Sequence, residues 1–253
     1  MKAVLFDLDG TLLDLDVDRF MGHYIEALSQ EFAPLVPPMR FQPALMAATT
    51  AMITNDGSMT NEERFWRVFQ EKTGVGREAL LPVTERFYRD VYPRLAFVAR
   101  PVAIAPQLVS EVKAAGMIVV LATNAIFPKV AILERMRWGE LDPNLFDLIT
   151  CYETMHAAKP NPLFYREILE RLGVAPCDAV MVGNDPELDV RAAKEAGLSA
   201  YLVDDVTPAS QIERKFSANT SLTSSHKPLG PDGQGPLAGV LSFIGKGASR
   251  SGA

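Results

Sequence analysis

Two carboxylates, Asp7 and Asp9, stand one residue apart directly after a short apolar run over residues 3–6. Ending a buried strand on two acids is costly unless a positive group neutralises them. A divalent cation is a natural partner, since Mg²⁺ typically takes one or two carboxylates together with water and substrate phosphate. Gly10 would permit a tight turn here, and Thr11 adds a hydroxyl group. The alternative interpretation is a strand-to-turn junction whose acids are solvated.

Three further polar clusters follow apolar runs later in the chain. Thr123 and Asn124 come directly after the run 117–122, Lys159 follows a third run, and an acidic stretch, 183–189, follows a fourth. Each cluster alone is weak evidence for a functional site, because a threonine often only ends a strand and a lone lysine is usually a surface cation. In open α/β sheets, ligands bind outside the carboxyl ends of the strands. We therefore expect the four clusters to meet at one edge of a sheet.

The elements that would position these clusters follow from hydrophobic periodicity. From residue 101 onward, helical patterns alternate with short apolar runs. Together with the first run they give about five strands separated by helices, which is typical of a parallel sheet covered on both faces. Residues 15–97 instead have helical spacing, with a capping box that begins at Thr60. The predicted fold class is α/β, a Rossmann-like doubly wound parallel sheet of about five strands with a smaller α-helical domain.

The same patterns divide the chain into three parts. We predict a core formed by residues 1–14 and 98–204, a helical insert over 15–97, and a C-terminal part, 205–253. The C-terminal part begins with a stretch rich in Ser, Thr, Pro and Gly, which predicts a long surface loop. Its apolar residues 237–244 predict a last short helix.

Composition limits the partners that the chain can have. Hydrophobic residues make up 48% of the 253 residues, and the formal net charge is −6. Because no basic stripe is present, nucleic acid is not expected as a partner. Cys151 and Cys177 lack metal-ligand spacing. The apolar runs are far shorter than a membrane span and no signal peptide precedes the first strand, so we expect no membrane partner and a cytoplasmic location.

The stretch D-L-D-G-T-L at residues 7–12 resembles the DxDGTL motif of the haloacid dehalogenase-like hydrolase superfamily. The other clusters resemble the later motifs of that superfamily, in the same order. The resemblance implies that Asp7 is a nucleophile that becomes phosphorylated, that Asp9 is a general acid/base, and that Mg²⁺ lies beside both. It further implies that the Thr123 hydroxyl binds the transferring phosphoryl group and that Lys159 stabilises its charge.

The resemblance covers about residues 1–14 and 100–204. It makes Gly10, Thr11 and Asn124 candidate substrate-binding residues. The helical insert matches in position the superfamily's α-helical cap, which excludes water and reads the leaving group. The function implied is a Mg²⁺-dependent phosphatase that hydrolyses a small phosphorylated metabolite through an aspartyl-phosphate intermediate.

The fourth cluster departs from the superfamily pattern. Many members have Gly-Asp after the fourth strand, whereas this chain has Gly183-Asn184-Asp185. Counting forward from the glycine assigns Asn184 to the metal-ligand position, and counting back from Asp189 assigns Asp185 to it. Mg²⁺ prefers carboxylate oxygen, so we predict Asp185 as a metal ligand with Asp7 and Asp9. Asp189 would orient Lys159, and Asn184 would assist.

Three alternative functions remain open from the sequence. The first is a phosphomutase similar to β-phosphoglucomutase, whose core residues are similar. The second is dehalogenation of haloacids, which is disfavoured because dehalogenases of this superfamily lack an acid at the Asp9 position and need no metal. The third is a regulatory or binding relative with little turnover. Neither the substrate nor the oligomeric state can be predicted from the sequence.

Overall fold

The computed structural model of the protein describes residues 1–208, 210–211 and 229–248. Its main element is a sheet of six parallel strands in the order β5-β4-β1-β6-β7-β8. The strands of this sheet are β1 (Ala3–Phe6), β4 (Ile118–Leu121), β5 (Leu148–Ile149), β6 (Ala179–Gly183), β7 (Ser199–Val203) and β8 (Gly233–Gly235). The predicted α/β class with a doubly wound parallel sheet is confirmed.

The strand order reverses beside β1, which pairs with β4 on one side and β6 on the other. All four residues of β1 are fully buried, as expected for a central strand covered on both faces. Ligands bind at such a reversal, outside the carboxyl ends of the strands. A ligand site is therefore expected at the loops that follow β1, β4 and β6.

The sixth strand, β8, was not predicted and corrects the expected count of about five. Its sequence is Gly-Gln-Gly, which carries no apolar signal. Glycine is required here because a Cβ atom on Gly233 would lie 2.7 Å from the Phe243 ring and 2.9 Å from the Tyr201 ring. The predicted C-terminal loop thus contains a strand, while residues 209 and 212–228 of that loop and the tail 249–253 lie outside the described residues.

The helices flank the sheet or lie between β1 and β4 in sequence. They are α1 (Val17–Phe32), α2 (Pro38–Ile53), α3 (Asn61–Thr73), α4 (Arg77–Arg86), α5 (Ala105–Ala114), α6 (Lys129–Trp138), α7 (Pro162–Leu172), α8 (Ala192–Glu195) and α9 (Val240–Ala248), with π-helical turns at Phe87–Val91 and Pro186–Arg191 and a 3₁₀ turn at Tyr92–Val98. We call residues 17–98 the helical segment. The last helix, predicted from residues 237–244, is present as α9 after one 3₁₀ turn.

A short antiparallel ribbon joins the two ends of the helical segment. It pairs β2 (Leu13–Leu15) with β3 (Ala99–Pro101), so that Leu13 lies opposite Pro101. The sequence did not predict this ribbon, because three residues are too few for a period-two pattern to show. The chain therefore enters and leaves the helical segment at one place.

The start of α3 fixes the helical segment against the core. The capping box at Thr60 is present, with its side chain accepting from the Glu63 backbone N–H at 3.2 Å. The next residue, Asn61, is fully buried and donates from Nδ2 to the carbonyl oxygens of Ala125 (2.9 Å) and Ala157 (3.0 Å). These carbonyls belong to the loops that carry Thr123 and Lys159, so the helical segment is attached beside the predicted site.

In the described part of the chain, no helix combines the length and the apolar character that crossing a membrane would need.

Candidate active site

A buried lysine joins two acids at the carboxyl edge of the sheet. Asp7 follows β1 directly, and its Oδ1 lies 2.7 Å from Lys159 Nζ. The same Nζ lies 2.6 Å from Asp189 Oδ1. Lys159 is 1% exposed, so its charge is held by these two carboxylates and not by water. Residues 152 positions apart in the sequence thus meet at the edge where the sequence analysis placed them.

One pocket collects most of the residues predicted for the site. Eight of them line it, namely Asp7, Asp9, Thr123, Asn124, Lys159, Asn184, Asp185 and Asp189. Asn124 also positions the lysine, since its Oδ1 accepts from the Lys159 backbone N–H at 3.1 Å. Thr123 is 2% exposed, and its carbonyl accepts from the Thr150 hydroxyl at 2.6 Å. We call this space the phosphoryl pocket, after the group that the sequence analysis expects to bind there.

Gly10 and Thr11, also predicted to bind substrate, do not line the phosphoryl pocket. Both instead contact Asn184. The Thr11 hydroxyl donates to Asn184 Oδ1 at 3.4 Å, and a Cβ atom on Gly10 would lie 2.2 Å from Asn184 Nδ2. Gly10 also has a φ of +86°, which favours glycine. The turn after β1 therefore shapes the position of Asn184.

Asp9 has a buried cationic partner that the sequence analysis missed. Arg135 Nη1 lies 2.6 Å from Asp9 Oδ2, and the arginine side chain is 2% exposed. Its guanidinium carbon lies 4.4 Å from the centroid of the Phe127 ring. The signal was its place on α6, three residues after Ile132 and four after Ala131, both of them fully buried. An arginine on the apolar face of a helix needs a buried acid as its partner.

The two candidate ligands of the fourth cluster, Asp185 and Asn184, make different contacts. Asp185 begins the π-helical turn, and its Oδ1 accepts from the backbone N–H groups of Glu187 (2.7 Å) and Leu188 (3.0 Å). Asn184 Nδ2 donates to the Thr207 carbonyl at 2.8 Å. Asp189 Oδ2 accepts from the Asp185 N–H at 3.0 Å, which holds its other oxygen toward Lys159.

The chain that follows β7 reaches the phosphoryl pocket at Ser210. Ser210 lines the phosphoryl pocket, and its hydroxyl donates to Asp18 Oδ1 at 2.6 Å. Thr207 donates to Asp14 Oδ1 at 2.5 Å. These bonds link the C-terminal part of the chain to β2 and to the start of the helical segment. Sequence reasoning missed this contact because it assigned the first stretch of the C-terminal part to a surface loop.

Gly183 leaves the space that Asp189 needs. A Cβ atom on Gly183 would lie 2.2 Å from Asp189 Oδ2 and 2.4 Å from its Cγ. We expect Gly183→Ala to displace the Asp189 carboxylate from Lys159 and to lower kcat/KM by about 100-fold, the typical effect of a misplacement of about 1 Å. The measurement is steady-state hydrolysis of p-nitrophenyl phosphate.

Gly22→Ala in α1 is the matched control for that variant, because no atom beyond its chain neighbours and its own helix backbone lies within 4 Å of the Cβ position there. This control should keep its activity. Unchanged activity in Gly183→Ala would show that the position of Asp189 does not matter.

Burial and charge change the acidity of the site. Burial raises the pKa of Asp9, although Arg135 opposes the rise. Burial likewise raises the pKa of Asp7 against the effect of Lys159, and it raises that of Asp189 to about 7. Burial alone would lower the pKa of Lys159, but Asp189 and Asp7 raise it well above its usual value. The site therefore holds a firmly charged lysine beside carboxyls that bind protons more tightly than usual.

The donor set fits a divalent cation. Four carboxylates line the phosphoryl pocket, and two buried cations, Lys159 and Arg135, pair with them. With all four carboxylates ionised, a formal charge of −2 remains, which one divalent ion would neutralise. Asp9 Oδ1 is buried and has no hydrogen-bond partner among the described residues. Within those residues, no three acidic, histidine or cysteine side chains converge on one point, so the fit is one of chemistry and charge.

Comparison with known proteins gives the family. The model of the haloacid dehalogenase-like hydrolases matches residues 1–197. A phosphoserine phosphatase from Thermus thermophilus is 31% identical over 231 residues, which cover 81% of this chain and 89% of that protein. A phosphorylated carbohydrates phosphatase from Thermotoga maritima is 30% identical over 208 residues, covering 78% of this chain and 82% of that protein.

A solved structure of another protein has the same fold. The crystal structure of a phosphatase of this family from Thermococcus onnurineus superimposes with a TM-score of 0.57 at 20% identity, covering 97% of this chain and 98% of the other. The chain belongs to the haloacid dehalogenase-like hydrolase family and is an enzyme.

Proposed function

We propose that the protein is a Mg²⁺-dependent phosphatase that hydrolyses a small phosphate monoester through an aspartyl-phosphate intermediate. The observation that carries the proposal is the Asp7–Lys159–Asp189 arrangement at the end of β1, with Asp9 in the same pocket. Similarity to phosphatases such as the two relatives above supports it.

Asp7 is the proposed nucleophile. Lys159 holds Asp7 Oδ1, which leaves the second carboxylate oxygen as the atom that attacks phosphorus. Attack forms an acyl phosphate and replaces one difficult displacement by two easier ones. Lys159 and the Thr123 hydroxyl line the space where the phosphoryl oxygens would lie, so they would stabilise the charge that spreads over these oxygens.

Asp9 is the proposed general acid and base. Burial raises the pKa of Asp9, which suits a group that gives a proton to the leaving oxygen in the first step. In the second step the same carboxylate takes a proton from the water that attacks the acyl phosphate. Arg135 fixes one Asp9 oxygen and thereby orients the other.

Asp7, Asp9 and Asp185 are the residues that would hold Mg²⁺, and Asn184 would assist them. The ion would supply positive charge for the phosphate oxygens and would balance the excess of carboxylates. We further propose that residues 15–97, which include nearly all of the helical segment, form a cap over the core formed by residues 1–14 and 98–204.

Hydrolysis of p-nitrophenyl phosphate tests the proposed function. Purified protein should release p-nitrophenol in the presence of Mg²⁺ and stop when a chelator is added, with recovery when Mg²⁺ is restored. Halide release from 2-haloacids by chelated protein, without phosphatase activity, would contradict the proposal and favour the dehalogenase alternative.

The ligand role of Asp185 can be separated from that of Asn184. Asp185→Asn keeps an acceptor for the Glu187 and Leu188 N–H groups but removes the charge. We expect this variant to weaken Mg²⁺ affinity by about 10-fold to 100-fold, and Asn184→Ala to weaken it less, because Mg²⁺ prefers carboxylate oxygen.

Isothermal titration of Mg²⁺ against both variants gives the two affinities without relying on turnover. A larger loss in Asn184→Ala would assign the ligand position to Asn184 and overturn the choice of Asp185.

A further inference from the structure

An apolar cavity continues from the phosphoryl pocket into the helical segment. A short passage joins the two spaces. Val17 and Asn124 line both the phosphoryl pocket and the passage, while Met21 and Phe127 line both the passage and the cavity. Asp9, the proposed general acid, lies where the passage begins. A phosphate ester bound in the phosphoryl pocket would therefore direct its alcohol part toward the cavity.

The wall of the cavity is apolar. Nine of its eighteen lining side chains are aromatic, among them Phe32, Phe41, Phe65, Trp66 and Phe69, which come from α1, α2 and α3. Among the described residues, none that lines the cavity carries a charge. An alcohol part that enters this space would contact hydrocarbon and aromatic rings.

Several polar groups of the wall already have partners within the protein. The hydroxyls of Tyr24 and Tyr88 bond to each other at 2.8 Å. The Thr84 hydroxyl donates to the Leu80 carbonyl of its own helix at 2.9 Å. Arg135 lines the passage, and its charge is paired with Asp9. A carboxylate or an ammonium group would therefore lose its water here without a charged partner, which is costly.

We infer that the substrates of this enzyme are phosphate monoesters of apolar alcohols, whose hydrocarbon part occupies the cavity. This inference rests on the proposed phosphatase function and deepens it. The proteins that this chain resembles are named for phosphoserine and for phosphorylated carbohydrates, whose alcohol parts are polar. The apolar cavity of this chain does not suit such polar leaving groups, while the phosphoryl pocket supports the same reaction.

The chemical step fits the arrangement of the two spaces. The bond between phosphorus and the ester oxygen breaks as the bond from Asp7 to phosphorus forms, and the proton of Asp9 goes to the ester oxygen. The neutral apolar alcohol stays on the side of the passage. Water then cleaves the acyl phosphate and releases inorganic phosphate, with its proton taken by Asp9.

A series of alkyl phosphates tests the inference, because ethyl, butyl and octyl phosphate have leaving groups of similar acidity and differ in apolar surface. We expect kcat/KM to rise with chain length by about fourfold for each buried methylene, and by at least about 100-fold from ethyl to octyl phosphate. Phosphoserine and phosphoglycolate should be poorer substrates than butyl phosphate. All esters are used below the concentrations at which they aggregate.

A variant tests whether the hydrocarbon part of the substrate occupies the cavity. Thr49 in α2 lines both the passage and the cavity, so Thr49→Trp should narrow the route and lower the octyl-to-ethyl ratio of kcat/KM by about tenfold. Gln42→Trp is the matched control, because Gln42 lies exposed in the same helix and lines neither space.

Each other outcome has a defined meaning. An enzyme that hydrolyses ethyl phosphate with a flat or falling chain-length series keeps the proposed function and overturns the inference. Equal octyl-to-ethyl ratios in the two tryptophan variants would also overturn the assignment to this cavity. If no monoester is hydrolysed, p-nitrophenyl phosphate with Mg²⁺ included, both proposals fall.

Discussion

Replacing Asp7 with asparagine is expected to lower kcat for p-nitrophenyl phosphate by on the order of 10⁴-fold, the scale of losing a residue that forms the covalent intermediate. An amide is a poor nucleophile and cannot form the acyl phosphate. The fold should persist, because asparagine has nearly the same shape and its oxygen can still accept from Lys159. The measurement combines steady-state kinetics with a thermal denaturation curve.

Asp178→Asn is the matched control for that variant. Asp178 also pairs with a lysine, Lys2, at 2.8 Å, but this pair is at the start of β1 and β6, the opposite edge of the sheet from the site. Its activity should equal that of the unchanged protein. Substantial turnover by a purified Asp7→Asn protein would remove Asp7 from the nucleophile role.

The second large effect is on stability. Lys159→Met should lower the free energy of unfolding at neutral pH by about 3–5 kcal/mol, because removing one partner leaves buried charges uncompensated. Asp7 and Asp189 are the carboxylates that would lose their cation. Chemical denaturation measures the change. Lys113→Met is the control, since Lys113 pairs with Asp147 near the surface and should lose at most about 1 kcal/mol.

The stability deficit of Lys159→Met should depend on pH in a defined direction. Burial already raises the pKa of Asp7 and Asp189, and losing the lysine removes an interaction that lowers both. When the pKa of a carboxyl is raised in the folded state, the protein loses stability as the pH rises above the pKa of that carboxyl in the unfolded chain, about 4. The deficit should therefore shrink toward pH 4. A deficit that is constant from pH 4 to pH 8 would mean that lost packing, and not uncompensated charge, is its cause.

The central sheet was predictable because most of its strands have a clear local sequence pattern. β1, β4 and β6 are short apolar runs that end in polar clusters, and burial on both faces requires that pattern. By contrast, β8 is Gly-Gln-Gly and exists because its edge position lies under Phe243 and Tyr201. Such a strand depends on tertiary contacts and has no local signal.

The candidate site likewise contains residues that the sequence could predict and residues that it could not. Residues at strand ends, such as Asp7 and Thr123, could be found because topology brings strand ends together. Arg135 could not be found that way, because it reaches Asp9 from the middle of a helix. Ser210 was missed since its place follows from bonds to Asp18, which no pattern in either segment indicates.

The ribbon between β2 and β3 bears on how such an enzyme evolves. Because Leu13 and Pro101 lie opposite each other, the two points where the chain leaves and rejoins the sheet are already in contact. A segment whose ends are held together adds little loop-closure entropy when it lengthens or shortens. Duplication, loss or exchange of helices between these two points leaves the order of the strands untouched. Under the proposed function, insertions there would change substrate choice while Asp7, Lys159 and their partners remain unchanged.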